Sequence, residues 1–159
     1  MAGHAFEGEL GWEGTSGVLK RTPSGKTKRT PRPPAAPGED PGPRRSCLWR
    51  VPSDAGRRYA SVSGDYNPIH LYPMTARLFG FKRAIVHGMW SLGRCVAELQ
   101  DEARAMETGA VSLETAFKTP VLLPCHVAFH AYDDGPGVRF ALRASDGVRP
   151  HLVGRIAPV

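Results

Sequence analysis

The sequence predicts an α+β fold in which an antiparallel sheet wraps around one long central helix. Two observations support this prediction. Apolar residues recur at helical spacing between Gly88 and Met106, and beyond Gly109 they alternate with polar residues, as in the strands of an antiparallel sheet. A helix followed by strands that fold back over it is typical of this class. The 159 residues suit one domain of ordinary size.

Composition divides the chain into three parts. Residues 20–45 contain seven of the fifteen prolines and eight Lys or Arg residues, so we expect a disordered, basic, proline-rich linker. Residues 1–19 form a short N-terminal segment, and residues 46–159 are expected to form the globular domain. Most of the net charge of +6 lies in the linker and not on a patterned face with interleaved aromatics, which argues against nucleic-acid binding.

Cysteine usage and hydropathy favour a cytoplasmic protein. Cys47, Cys95 and Cys125 are odd in number and lack metal-ligand spacing, which indicates a reducing compartment. No apolar run approaches the roughly 20 residues that span a bilayer. Residues 1–10 lack the basic and apolar regions of a signal peptide. We therefore expect no membrane association.

Short elements lead into the long helix. Residues 49–51 are predicted to form a short strand, and Ser53 is predicted to be the N-cap of a helix over 56–62. A further helical turn is predicted at 75–79. The long helix is predicted over 88–106 because its apolar positions recur at i, i+3, i+4 and i+7 spacing. These positions are Leu92, Cys95, Val96, Leu99 and Ala103.

The sequence of the second half of the domain predicts strands joined by tight turns. The clearest alternation runs from Val111 to Phe117. Turn-forming residues at 133–137 and 145–147 separate the later strands. The predicted strands cover 111–117, 121–123, 126–132, 138–144 and 151–156.

A dense group of turn-forming and titratable residues precedes the long helix. The run SGDYNPIH places Asp65 five residues before His70 on a turn that Pro68 fixes. These two side chains can exchange protons and hold one water between them. Gly88 opens the helix, so its N–H has no partner within the helix and can donate to a carbonyl oxygen. The alternatives are that Asp65 and Asn67 satisfy backbone donors in a turn, and that Gly88 is a packing glycine.

These residues, together with Ala76, the pair GF at 80–81 and the run IVHGM at 85–89, resemble the signature of the MaoC-like, or R-specific enoyl-CoA hydratase, family of hotdog folds. The resemblance covers residues 49–158. It implies a hydratase/dehydratase that interconverts a trans-2-enoyl-CoA and a (3R)-3-hydroxyacyl-CoA in fatty-acid metabolism. It also implies that no metal or redox cofactor takes part. Coenzyme A is counted as part of the substrate.

The family's catalytic pattern is carried onto matching positions. The resemblance implies that Asp65 and His70 form the hydratase dyad and that Gly88 binds the thioester oxygen. We expect Asn67 to support the loop or the water, and His87 and Met89 to contact the substrate. For His87 the alternative is that it satisfies a backbone group at the helix start.

Other positions are less tightly tied to the pattern. Some family members carry a hydroxyl residue two turns into the helix; Val96 stands there in this chain, and Ser91 lies one turn earlier. The cations Arg77, Lys82 and Arg83 either meet coenzyme A phosphates or form a solvated surface. His151 is placed near a turn and shows no metal-ligand spacing.

The expected partners follow from the same resemblance. Residues 9–21, ELGWEGTSGVLKR, resemble the closing strand of a preceding repeat, so the chain resembles the C-terminal repeat of double-hotdog acyl dehydratases. A single hotdog leaves a sheet edge and one side of its acyl tunnel open, so we expect a homodimer or a partner hotdog subunit. Two alternative functions stay open: a dehydratase acting on chains bound to acyl carrier protein in fatty-acid or polyketide synthesis, and a non-catalytic acyl-thioester-binding module.

Overall fold

A computed structural model describes residues 42–105 and 110–159. The predictions for residues 1–19 and for nearly all of the linker at 20–45 therefore lie outside the described residues. Within residues 42–105 and 110–159, five strands form one antiparallel sheet in the order β1-β3-β4-β5-β2. The strands are β1 (Arg45–Val51), β2 (Val111–Phe117), β3 (Cys125–Asp134), β4 (Gly137–Ala144) and β5 (Pro150–Pro158).

Strand β1 is longer than the three residues predicted. It pairs antiparallel with β3, from Arg45 opposite Ala131 to Val51 opposite Cys125. Every second residue toward its end is buried, and the Trp49 ring stacks on Phe129 with 5.4 Å between ring centroids. The alternation between more and less exposed residues extends back to Arg45, the last residue of the predicted linker. The pairing with β3 continues to the same residue.

In the described part of the chain between β1 and β2 there are five short helices. They are α1 (Ala55–Ser63), α2 (Pro68–Leu71), α3 (Pro73–Leu78), α4 (Gly88–Glu98) and α5 (Gln100–Ala105). The prediction that Ser53 is the N-cap of the first helix is wrong: Asp54 takes that position, and its side chain makes no capping hydrogen bond. Helix α2 was not predicted. It begins with Pro68 behind Asn67, whose side chain accepts the N–H of Ile69 at 3.4 Å.

The long helix predicted over 88–106 is divided at Leu99. The Leu99 N–H bonds to the carbonyl of Val96 at 3.0 Å, which tightens the last turn of α4. The carbonyl of Glu98 accepts a hydrogen bond from the Arg45 guanidinium, which also pairs with Glu102 at 3.2 Å. In a continuous helix the Glu98 carbonyl would accept a backbone N–H from the next turn. Here it accepts a hydrogen bond from Arg45 of β1.

The strand predictions of the second half are largely confirmed. Strand β2 matches its predicted bounds, and β3, β4 and β5 each extend beyond theirs. The prediction of a strand at 121–123 is wrong, because only one isolated bridge joins Leu122 to Ile85. Pro120 and Pro124 flank this segment, and proline cannot donate to a strand ladder.

One apolar core joins α4 to the sheet. Leu92, Cys95 and Leu99 of the helical segment are buried against strand residues that include Phe129, Phe140, Leu142 and Leu152. The sheet therefore encloses α4, as the α+β prediction requires. None of the helices in the described part of the chain is long and apolar enough to cross a lipid bilayer.

Candidate active site

The loop between α1 and α2 is built from local hydrogen bonds. Gly64 ends α1 in the left-handed conformation, with φ of 75°. The Asp65 N–H donates to Ser63 Oγ at 3.2 Å, and Asp65 Oδ1 accepts the Asn67 N–H at 3.1 Å. The turn alternative is therefore correct for one oxygen of Asp65 and for the side chain of Asn67. The second carboxylate oxygen, Oδ2, makes no hydrogen bond to the described residues.

His70 is buried in α2 with a defined tautomer. Its Nδ1 lies 2.9 Å from the carbonyl oxygen of Ile85, which can only accept, so Nδ1 carries a proton. Nε2 of the neutral ring is then a proton acceptor. Burial lowers the pKa of His70, the neighbouring His87 lowers it further, and the Ile85 hydrogen bond and Asp65 oppose both effects. The neutral, basic ring is therefore favoured near neutral pH.

His87 joins the beginning of α4 to the Asp65 loop. It is 3% exposed, and its ring stacks on His70 with 3.7 Å between centroids and 26° between planes. Its Nε2 donates to the backbone carbonyl of Asp65 at 2.9 Å and lies 3.7 Å from Asp65 Oδ2. His87 thus satisfies a backbone group, as its alternative role required, but in the loop and not at the helix start. Its contact with substrate stays a prediction.

Asp65, His70 and His87 converge on one small volume. A potential ligand atom of each lies within 4.8 Å of the others. A water with hydrogen bonds of about 2.8 Å to Asp65 and His70 can bridge such a gap. The set is also small enough to hold a metal ion, but His87 Nε2 and His70 Nδ1 already donate to the backbone carbonyls of Asp65 and Ile85. This geometry favours a water-holding dyad over a metal centre.

A cleft of about 270 Å³ lies beside these residues. Gly88, at the first position of α4, lines it, and the Gly88 N–H has no acceptor among the described residues. A Cβ at this position would lie 3.1 Å from Cε1 of Phe117, so the absent side chain keeps the approach to this N–H open. The cleft is lined by His70, Ile85, Val86, Gly88, Ser91, Phe117, Lys118, Thr119, Pro120, Val121 and His151.

The other candidate residues lie elsewhere. Met89 is 58% exposed and does not line the cleft, so its contact with substrate stays a prediction. Val96 packs partly buried against the core, whereas Ser91 is buried and lines the cleft. Arg77 and Lys82 are exposed, which is compatible both with contact to coenzyme A phosphates and with a solvated surface. Arg83 donates to the carbonyl of Pro124 at 3.0 Å.

The sequence patterns do not predict the cleft wall that is formed by the end of β2, the following segment and the start of β5. Phe117, Thr119 and His151 all line the cleft. Thr119 lies outside every predicted strand, and nothing in the local pattern distinguishes His151 from a surface residue. These residues meet only because β2 pairs with β5, with Phe117 opposite Leu152.

Acidic pH should destabilise the fold through its buried histidines. Burial is the main cause that lowers the pKa of both His70 and His151 from the ordinary value of 6.5. Below this value the unfolded chain binds protons that the folded chain does not, so the free energy of unfolding should fall as the pH decreases. Thermal unfolding between about pH 7.5 and 5.5 measures the slope. His70→Asn should make the slope shallower, and an unchanged slope would contradict this account.

A comparison against protein families finds one match. The model of the MaoC-like domain matches residues 32–143. The chain belongs to the MaoC-like domain family and has its α+β hotdog fold.

Relatives of this chain include proteins named as a dehydratase and as an R-hydratase. The 3-hydroxyacyl-thioester dehydratase X of Mycobacterium tuberculosis is 36% identical over 127 residues, which cover 79% of this chain and 43% of that protein. The crystal structure of HtdX from the same organism superposes with a TM-score of 0.66 at 35% identity, covering 89% of this chain and 53% of that one. An R-hydratase from Pseudomonas aeruginosa superposes with a TM-score of 0.54 at 25% identity, covering 74% of this chain and 81% of that one. The chain thus spans about half the length of the two mycobacterial relatives.

Proposed function

We propose that this protein is a hydro-lyase that interconverts a trans-2-enoyl-CoA and a (3R)-3-hydroxyacyl-CoA in fatty-acid metabolism. The observation that supports this most directly is the meeting of the Asp65 carboxylate and the basic His70 ring beside the unpaired N–H of Gly88. Membership of the MaoC-like family supports the same class of reaction.

The residues suit an addition of water across the enoyl double bond. Asp65 Oδ2 and His70 Nε2 hold the water and take its proton as its oxygen bonds to the β-carbon. The double-bond electrons move toward the thioester, whose oxygen accepts the Gly88 N–H at the positive end of α4. The α-carbon then receives a proton from the dyad, which returns to its starting state. Dehydration is the reverse sequence. It needs no redox cofactor, because the addition or removal of water is redox-neutral overall, and the proposed mechanism uses no metal ion.

The proposal is tested by the loss of enoyl-thioester absorbance with short and medium trans-2-enoyl-CoA substrates. We expect turnover above the uncatalysed rate and a 3-hydroxyacyl product of the R configuration, identified by chiral chromatography. A folded protein that turns over none of these substrates would sink the proposal.

A second candidate function differs from the first in the group that bears the acyl chain. The relative from M. tuberculosis is named for 3-hydroxyacyl thioesters, a term that covers both coenzyme A and acyl carrier protein. Competition between the two forms of one substrate decides between them: a preference for the carrier-protein form would indicate a dehydratase of fatty-acid or polyketide synthesis. Tight binding of an acyl-CoA without turnover would instead indicate a non-catalytic thioester-binding module.

We further propose that the functional unit contains a second hotdog, either another copy of the chain or a partner subunit. Among the described strands β2 is an edge of the sheet, and its apolar residues Val111, Leu113 and Phe117 are 42% to 51% exposed. Phe117 also lines the cleft, so one wall of the site lies on this open edge. Pairing across β2 would cover both the edge and the wall.

Size-exclusion chromatography with light scattering should give the mass of a dimer for the isolated chain. Leu113→Lys should shift the protein toward the monomer and lower activity, because it places a charge on the apolar edge. Val148→Lys, at a 75% exposed position in the β4–β5 turn, should change neither. A fully active wild-type monomer would contradict the proposal.

We propose a cytoplasmic location. The three cysteines Cys47, Cys95 and Cys125 are free thiols, which suits a reducing compartment. Burial raises the pKa of Cys95 to about 12, so this thiol is a core residue and not a nucleophile.

A further inference from the structure

His151 lies in the cleft but has no part in the proton transfers proposed above. It is the second residue of β5, it is 8% exposed, and it shares the cleft with His70 and Gly88. Most of the remaining wall is apolar and comes from Ile85, Val86, Phe117, Pro120 and Val121. The other polar side chains that line the cleft are Ser91, Lys118 and Thr119.

Local hydrogen bonds determine the tautomer of this ring. Nδ1 of His151 lies 3.1 Å from the backbone carbonyl of Thr119, which can only accept. The Thr119 hydroxyl donates to the carbonyl of Pro150 at 2.7 Å, and its oxygen lies 3.1 Å from the same Nδ1. Both contacts require the proton on Nδ1. The other nitrogen, Nε2, is then an acceptor, and no described residue donates a hydrogen bond to it.

The surroundings keep the ring neutral. Burial lowers the pKa of His151, and Arg149 lowers it further; the carbonyls of Thr119 and Pro120 and the Asp146 carboxylate oppose both effects. Nε2 therefore retains its lone pair near neutral pH. A buried acceptor of this kind discriminates strongly between a ligand that can donate to it and one that cannot.

We propose that Nε2 of His151 accepts a hydrogen bond from a neutral N–H or O–H group of the bound thioester and thereby positions it in the cleft. This inference rests on the proposed function for the class of ligand. Two parts of such a ligand carry the required donor: the amide nearest the sulfur in the pantetheine arm, and a hydroxyl group on the acyl chain. His151 is thus a substrate-positioning residue and not a member of the dyad.

The test measures binding of saturated thioesters, which cannot react. The first pair is hexanoyl-N-acetylcysteamine, which carries the amide, and the S-propyl ester of thiohexanoic acid, which does not. The second pair is ω-hydroxyhexanoyl-CoA and hexanoyl-CoA. For one pair we expect His151→Phe to weaken binding of the donor-bearing ligand by about five- to tenfold and to leave its partner unchanged. The pair that responds identifies the donor.

Two further variants separate positioning from folding. His151→Gln carries an amide oxygen that can replace Nε2 and should restore most of the affinity, even if His151→Phe lowers the melting temperature. His126→Phe, at an exposed position of β3, should have no effect. An equal loss of affinity for both members of each pair, or no loss, would overturn the inference. Because binding is measured without turnover, an inactive wild type that still shows this pattern would refute the proposed function alone.

Discussion

Asp65→Asn and His70→Asn should each lower the rate of enoyl-thioester hydration by about 100- to 10,000-fold, the range expected when a positioned acid or base is lost. Asp65→Asn removes the charge that attracts the proton of the water but keeps an oxygen for the Asn67 N–H. His70→Asn keeps a nitrogen donor near the position of Nδ1, and so the bond to Ile85, but removes the basic Nε2. The losses should appear mainly in kcat.

The measurement is the decrease in enoyl absorbance under saturating substrate, with melting temperatures recorded for each variant. His126→Asn is the matched control, because it replaces an exposed histidine of β3. The double variant should be little slower than the slower single variant, since the two residues act on the same water. Wild-type rates in either single variant would remove that residue from the mechanism.

Gly56→Ala should destabilise the protein by about 3 kcal/mol or more, although alanine is the better helix former. Gly56 is buried in α1, and a Cβ there would lie only 2.0 Å from the backbone oxygen of His70. That atom belongs to the main chain of α2, so no side-chain rotation relieves the contact. Helices α1 and α2 must separate, and His70 moves with α2.

Gly93→Ala is the matched control for Gly56→Ala. Gly93 also lies in a helix, α4, but a Cβ there would meet no atom within 4 Å. This change should stabilise the protein by about 0.5 to 1 kcal/mol through helix propensity alone. Chemical unfolding of the two variants beside wild type gives both free energies. A Gly56→Ala variant as stable as wild type would show that α1 and α2 pack less tightly than described.

Local pattern was sufficient for the elements whose side chains alternate regularly. Strand β2 is predicted at its exact bounds from the alternation between Val111 and Phe117. The start of α4 at Gly88 is also as predicted. The break at Leu99 could not be predicted from local pattern; the Glu98 carbonyl at this point accepts a hydrogen bond from the guanidinium of Arg45, more than fifty residues earlier in the chain.

The candidate site likewise contains residues that local sequence indicates and residues that only distant contacts bring into place. Turn chemistry, a helix end and the MaoC-like signature, all local in the sequence, indicate Asp65, His70 and Gly88, and the catalytic roles of these residues stay predictions. The role of His87 depends on which carbonyl it meets across 22 residues, and the sequence left two possibilities open. His151 enters the cleft only through the pairing of β2 with β5, which single-residue patterns do not encode.

The loop that carries Asp65 is anchored by hydrogen bonds that two histidine rings donate to main-chain oxygens. His87 holds the backbone oxygen of Asp65, and His70 is held by the backbone oxygen of Ile85. The identity of the side chain at position 65 can therefore change while the anchor remains. A chemically silent Asp65→Asn protein should keep an intact cleft and serve as an affinity reagent that captures the natural thioester from cell extracts for identification by mass spectrometry.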